Sequence, residues 1–354
     1  MRILAASSSL PPHYYPQALL RDTLKAYWGE RLENPRMLDR LWANAGVEGR
    51  HLARPLQDYY SLRTFGQTND AWIDAAVELG SQAVCRALEA AGREPSEVGA
   101  MIFMSITGIS SPSIEARLIE KMGLPLHMRR VPVFGLGCVG GAAGVARAAD
   151  YVRGYPEQIA VLLSVELCSL TMQLDDFSIA NQISLALFAD GAAAVVVAGD
   201  KAQGEKVEGA GPEIIDSRSS FYPGTLDAMG WAISEAGFRI VLSAEVPNII
   251  RDNLGRDADE FLALHGLTRG DIGCWILHTG GPKILEATQE ALGIPQPALA
   301  ASWETLRRTG NLSSASVLLV LEETIAHRRP PQGTWSILAA MGPGFCSELV
   351  LLRW

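Results

Sequence analysis

No stretch of this chain reaches the roughly eighteen consecutive apolar residues that a membrane-spanning helix needs. The opening segment, MRILAASSSLPPHYYPQ, has too short an apolar run for a secretory signal and meets prolines at once. Cysteine is sparse and odd in number: five residues, at positions 85, 138, 168, 274 and 346, with no C-x-x-C pair. That excludes a disulfide framework and a zinc site and fits a reducing, cytoplasmic setting. Positive charge is in deficit, with 30 Lys and Arg against 39 Asp and Glu and a formal net charge of −9. Nucleic acid is therefore not expected as the main partner, and any anionic ligand would need a local basic patch. There is no low-complexity tract.

What the chain does have is apolar content and length. Hydrophobic residues make up 48% of 354 positions, which points to a well-buried interior, an oligomer interface and room for two halves of one large domain. Strand-like and helix-like patterns alternate. Arg2 to Ser9 reads as a strand, and Pro16 to Glu30 and Pro35 to Ala45 as helices with proline near their starts. Asp70 to Ala91 is a long helix stopping at Gly92, Gly99 to Ile106 a buried strand, and Ser113 to Met122 a helix ending at Gly123. Strands at Ile159 to Val165 and Ala192 to Ala198 follow. The polar segment Gly199 to Gly211 reads as a linker, dividing the chain into halves 1–205 and 206–354. Beyond it come helices at Pro247 to Leu264, Pro282 to Leu292 and Ser313 to His327. Strands are expected at Cys274 to Leu277, Thr334 to Ala340 and Cys346 to Leu352. The class is α/β, with two halves that suggest an internal duplication.

The stretch Val131 to Ala149, VPVFGLGCVGGAAGVARAA, organises the rest. It runs from a short apolar strand through close-set glycines into an Ala-rich helix, with Cys138 at the turn. A cysteine facing unpaired backbone N–H groups and a positive helix terminus is expected to have a lowered pKa, which makes it a nucleophile. The same residues spell G-x-G-x-x-G at Gly135, Gly137 and Gly140, a dinucleotide fingerprint, with Glu166 where a ribose-binding acid would lie. That fingerprint normally opens a domain, and it leaves the cysteine unexplained. A plain packing turn is the third reading.

Two further turns stand out. His278 ends the strand Cys274 to Leu277 and precedes Thr279–Gly280–Gly281–Pro282, a place from which an imidazole reaches a ligand or is simply hydrogen-bonded. Asn311, in Gly310–Asn311–Leu312–Ser313–Ser314, precedes an apolar helix and would by itself read as a cap. Cysteine, histidine and asparagine thus each sit in a glycine-rich turn at a strand end or helix start.

The segments GLGCVGGAAGVARA, HTGGPKIL, GNLSSASVLLVL, ALFADGAAAVVV and MGPGF together resemble the chalcone-synthase-like, type III polyketide synthases of the thiolase fold. The likeness spans nearly the whole chain in the same order. More narrowly, CSLTMQ, MGW and GFRIVLSAEVP are similar to bacterial members that make alkylpyrones or alkylresorcinols from fatty-acyl starters. The resemblance implies a homodimer of layered αβαβα subunits and a Cys138–His278–Asn311 triad. Coenzyme A thioesters, acyl-CoA and malonyl-CoA, would be substrates, with an acyl carrier protein as another means of delivery and no metal, flavin or nicotinamide cofactor. Ketoacyl-ACP synthases III share such a triad, and a single-condensation enzyme of that type is the alternative. A dinucleotide-binding oxidoreductase is the alternative from another class.

By the same match Phe188 falls on a gatekeeper position, and Ile240 on a second one that is phenylalanine in plant enzymes. Met341 stands in the C-terminal loop before Gly342–Pro343–Gly344. Thr107 and Cys168 would flank a side tunnel for an acyl tail, and Ser313 would contact the growing chain. Arg50 and Lys283 would contact coenzyme A phosphates. Glu166 becomes a buried acid near the site.

Overall fold

The computed structural model describes residues 1–202 and 209–354. The chain begins with β1 (Arg2–Ser9). The short strands β2 (His13–Pro16) and β3 (Gly49–Leu52) pair around α1 (Gln17–Trp28) and α2 (Pro35–Ala43). Then come α3 (Phe65–Ala90), β4 (Val98–Met104), α4 (Ile114–Met122), β5 (Arg129–Val133), α5 (Gly140–Gly154), β6 (Ile159–Leu167), α6 (Ile179–Leu187) and β7 (Asp190–Ala198). The second part starts at β8 (Glu213–Phe221), followed by the hairpin β9 (Met229–Ser234) and β10 (Gly237–Leu242), and by α7 (Val246–Ala263). It closes with β11 (Ile272–Leu277), α8 (Pro282–Leu292), α9 (Ala300–Thr309), α10 (Ser316–His327), β12 (Trp335–Gly342) and β13 (Cys346–Arg353). The boundary expected at 205/206 lies outside the described residues.

Nine strands run in the order β11-β12-β13-β8-β1-β7-β6-β4-β5. The junction between β8 and β1 is a single pair, Arg2 with Glu213. The array is therefore two sheets, each built around a central helix. Both central helices, α5 and α10, are apolar nearly all round. An apolar surface on every side is expected of a helix enclosed in a core. Val145 and Ala146 of α5 and Val317, Leu318 and Leu321 of α10 form one cluster with Ile102, Leu162 and Val195 of the first sheet. Ile276, Leu338 and Val350 of the second sheet belong to the same cluster. Outside the first sheet lies α3; outside the second lie α7 and α8, packed on each other. The layers are thus αβαβα, a mixed α/β thiolase-like arrangement.

Local chemistry sets the ends of these elements. Asn34 Oδ1 accepts from Met37 N at 3.0 Å, and Pro35 opens α2. Thr64 and Gln67 form a reciprocal capping box, so α3 starts five residues before the expected Asp70. Gly293, left-handed at φ 64°, stops α8 at the expected residue. The apolar start of the organising stretch forms β5 as expected, and β5 is an exposed edge strand. Among the described residues no helix is long and apolar enough to cross a membrane.

Candidate active site

Three loops meet at one cavity. The first is the turn after β5, where Gly137–Val139 make a single 3-10 turn before α5 begins at Gly140. Gly137 has φ +54°, and a Cβ on it would stand 2.7 Å from Pro343 Cδ; a Cβ on Gly141 would stand 2.2 Å from Ser314 O. Gly137 and Gly141 are glycine because protein fills the space above them. No room remains there for a pyrophosphate, and Glu166, the supposed ribose ligand, is fully buried among protein donors. The dinucleotide reading is overturned.

The second loop follows β11. His278 N donates to Ala339 O at 3.0 Å, which seats the histidine at the end of the parallel β11–β12 pair. Its Nδ1 is buried without a partner among the described residues, leaving Nε2 as the ring atom available to a ligand. The third loop precedes α10. Asn311 N donates to Leu187 O at 2.8 Å and Ala189 N donates to Asn311 O at 2.9 Å, a one-residue bridge to Phe188. Asn311 Oδ1 accepts from Ser313 N at 2.8 Å and from Ser316 Oγ at 3.3 Å. With its oxygen so held, the amide presents its NH₂ group. Ser313 takes φ 46°, unusual for a residue with a side chain.

Cys138, His278 and Asn311 all line a cavity of about 650 Å³, together with Phe188, Lys283 and Met341. Most of the remaining wall is apolar, from Leu41, Ile179, Ile183, Leu242, Val246 and Ile250. Met341 is not in a loop as expected; it lies in β12, whose pairing with β13 runs to Gly342. Lys283, exposed, and Arg40, exposed and absent from the expected set, contribute positive charge to the cavity. Ser313 contacts the nucleophile instead of lining the cavity, Cys138 Sγ donating to its Oγ at 3.7 Å. Ile240 sits in β10 opposite Trp231, two residues from the cavity-lining Leu242.

The other expected residues are placed differently. Arg50 is 3% exposed; Nη1 donates to Phe188 O at 2.7 Å and Nε to Gln17 Oε1 at 3.1 Å, so it cannot meet a phosphate from solution. Thr107 lines neither cavity. Its Oγ1 donates to Glu166 Oε2 at 2.9 Å and accepts from Trp72 Nε1 at 3.2 Å and Leu167 N at 2.9 Å. Cys168 lines a second cavity of about 60 Å³, which Arg50 and Tyr59 also line and which shares Phe188 with the large one. Ser314, which the sequence reading left without a role, donates to Glu166 and shares a hydrogen bond with Ser164 at 2.8 Å. Nothing in its local pattern separates it from a capping serine.

Burial governs the electrostatics. It pushes the Cys138 thiol up to about 12, against the pull of the Ser313 contact. It holds the His278 imidazole down at about 4. The expected lowering of Cys138 by the helix terminus is thus reversed. A terminus contributes on the order of 0.3–2 kcal/mol, whereas full burial moves a pKa by as much as roughly 3–5. Thiol and neutral imidazole is the pair these burials favour.

A layered αβαβα fold with a buried cysteine, an imidazole and a carboxamide on one apolar cavity defines a cysteine-dependent acyl-transferring enzyme. Residues 3–201 match the N-terminal domain of chalcone and stilbene synthases and residues 213–354 the C-terminal domain. The chain belongs to that family, the type III polyketide synthases. It is 49% identical to a 1,3,6,8-tetrahydroxynaphthalene synthase of Streptomyces peucetius subsp. caesius, over 99% of this chain and 93% of the relative. It is 33% identical to a putative chalcone synthase of Bacillus subtilis, over 99% and 98% of the two chains. The crystal structure of 1,3,6,8-tetrahydroxynaphthalene synthase from Streptomyces coelicolor superposes with a TM-score of 0.93 at 29% identity, covering 100% of this chain and 99% of that one. Enzymes of this family are decarboxylating condensing acyltransferases that use coenzyme A thioesters and need no further cofactor.

Proposed function

We propose that the chain loads a long-chain fatty-acyl starter on Cys138, extends it two or three times with malonyl-CoA, and releases an alkylpyrone or alkylresorcinol. The observation that carries this reading is the single cavity onto which Cys138, His278 and Asn311 open, with walls that are otherwise mostly apolar. Its size, about 650 Å³, lies within the roughly 300–1,000 Å³ of small-molecule sites, and its lining suits hydrocarbon.

The residues divide the work by their chemistry. His278 Nε2 takes the proton from Cys138 as sulfur attacks the starter thioester and keeps it as imidazolium, while the departing coenzyme A thiolate is protonated by solvent. In malonyl-CoA the bond to the carboxylate breaks, CO₂ leaves, and the electron pair passes to the thioester oxygen. There Asn311 Nδ2 and His278 Nε2–H donate to the growing negative charge. The resulting carbanion attacks the acyl carbon on Cys138, and the cysteine sulfur leaves. Phe188 stands between the large cavity and the slot lined by Cys168, which would take the end of the tail. The subunits would pair into a homodimer through the edge strand β5, in which Val131 is 40% exposed and just after which Phe134 is 49% exposed. The enzyme would work in the cytoplasm.

A second reading, a polyhydroxylated aromatic product in place of an alkyl-bearing one, is favoured by the 49% identity to a 1,3,6,8-tetrahydroxynaphthalene synthase. One assay separates them. Acyl-CoAs of increasing length with labelled malonyl-CoA should give labelled alkylpyrones or alkylresorcinols by mass spectrometry, and Cys138→Ala should form no acyl-enzyme. A Cys168→Phe variant should accept only shorter starters. A polyhydroxylated aromatic product bearing no alkyl chain, with fatty starters ignored, would establish the second reading. A lone β-ketoacyl product would instead identify a single-condensation enzyme.

A further inference from the structure

The buried guanidinium of Arg50 makes no direct salt bridge among the described residues, although the buried Asp190 carboxylate is near enough to act on it through space, and it lies one shell from the cavity. Its Nη1 donates to Phe188 O at 2.7 Å. Its Nε donates to Gln17 Oε1 at 3.1 Å, and Gln17 Nε2 in turn donates to Ala186 O at 2.7 Å. Both side chains are buried, and the guanidinium lies over the Trp42 ring with Cζ 5.1 Å from its centroid. Arg50 and Gln17 together therefore hold alternate carbonyls of the segment that ends α6.

That segment is the one against which Asn311 is registered. Leu187 O, between the two clamped carbonyls, accepts from Asn311 N, and Ala189 N donates to Asn311 O. The fit is close on the other side too. A Cβ on Gly310 would stand 2.8 Å from Leu187 O and 3.3 Å from Arg50 Cδ. The stem of Arg50 thus packs on the residue before Asn311 while its head grips the residue opposite.

We infer that Arg50, supported by Gln17, is a positioning residue for Asn311 and Phe188. It fixes the 186–189 segment so that the carboxamide meets the thioester oxygen of malonyl-CoA during decarboxylation. This rests on the role given to Asn311 above. A charged head is used because one guanidinium can donate to two acceptors in fixed directions, which an ammonium cannot do. Displacing a catalytic group by about 1 Å from a distance can cost roughly 10²-fold in rate.

The test compares two half-reactions, transfer of a labelled acyl group from acyl-CoA to Cys138 and release of acetyl-CoA from malonyl-CoA, in Arg50→Ala, Arg50→Lys, Gln17→Leu and the control Asn311→Ala. For Arg50→Ala the turnover for decarboxylation should fall about 10- to 100-fold. Its KM for malonyl-CoA and the acylation rate should stay within about twofold. Gln17→Leu should show the same selectivity with a smaller loss. Because the slot beside Arg50 is lined by the partly exposed Tyr27 and Tyr60, added guanidinium at millimolar concentration should restore decarboxylation in Arg50→Ala and leave Arg50→Lys unchanged. Equal losses in both half-reactions, or none in decarboxylation, would overturn the inference, as would a folded Arg50→Ala that guanidinium does not rescue. Should Arg50→Ala fail to fold, the selectivity of the Arg50→Lys and Gln17→Leu losses decides by the same criterion. Normal decarboxylation in Asn311→Ala would overturn the Asn311 role and the inference with it. A slow Asn311→Ala beside normal Arg50 variants would overturn the inference alone.

Discussion

Replacing Asn311 should separate the two halves of the reaction. Its Oδ1 is occupied by Ser313 N–H at 2.8 Å and Ser316 Oγ at 3.3 Å, so only its NH₂ is available to a substrate. Removal of one donor to a developing oxyanion costs about 10²–10³ in rate, or roughly 2.7–4 kcal/mol. Asn311→Ala should therefore slow the release of acetyl-CoA from malonyl-CoA by about that factor. Acyl transfer onto Cys138, which uses sulfur and imidazole, should change by less than about tenfold. Asn311→Asp is the sharper variant. It keeps an acceptor for Ser313 and Ser316, and so the turn, but sets an oxygen lone pair where the donor was. It should lose at least as much decarboxylation as the alanine variant while unfolding at the wild-type temperature. The rates are read by mass spectrometry, on released acetyl-CoA for one step and on intact labelled protein for the other. Equal losses in both steps, or a retained decarboxylation rate in Asn311→Asp, would refute the assignment.

Three other outcomes are expected. Burial holds His278 at about 4, below the 6.5 of a free imidazole. Between these values the unfolded chain binds a proton that the folded chain does not. This contribution to stability is therefore complete above pH 6.5 and lost as pH falls toward 4, by up to roughly 3 kcal/mol. Urea titrations of wild type and His278→Gln should diverge over that window, and a pH-independent difference would show that the folded imidazole keeps its proton. Gly141→Ala places a methyl 2.2 Å from Ser314 O; it should lower the melting temperature and slow alkylation of Cys138 little, whereas wild-type stability would mean that the seam yields. If the subunits pair through β5 as proposed, wild type should scatter light as a dimer and Val131→Lys as a monomer, and equal masses for the two would refute that pairing.

Much of this molecule can be read from local pattern. The helix Pro282–Leu292 is bounded by residues that a reader can recognise, proline at its first turn and a left-handed glycine after its last. The three glycine-rich turns likewise announce themselves, and they do meet on one cavity. Elements with weak patterns do not: α6 lacks a glycine stop, and the hairpin of β9 and β10 alternates poorly across half-exposed residues. The errors at the site have a common cause. Arg50 reads as a contact to coenzyme A phosphates and Thr107 as a small tunnel-wall residue because sequence carries no measure of depth. Once buried, the first spends its hydrogen bonds on Phe188 and Gln17, and the second on Glu166, Trp72 and Leu167. The same blindness to depth assigns Cys138 a low pKa, since the favourable turn is visible and the desolvation is not.

The contact of Gly141 with Ser314 crosses from one matched family domain to the other. Nucleophile and carboxamide are contributed from opposite sides of that crossing, so recombining this chain with a relative at the interdomain junction exchanges half an active site. Such hybrids should keep activity only when the glycine edge of one parent, bare of any Cβ, meets a serine carbonyl of matching height in the other. The determinant of successful grafting is then a backbone-to-backbone spacing, which percentage identity does not measure.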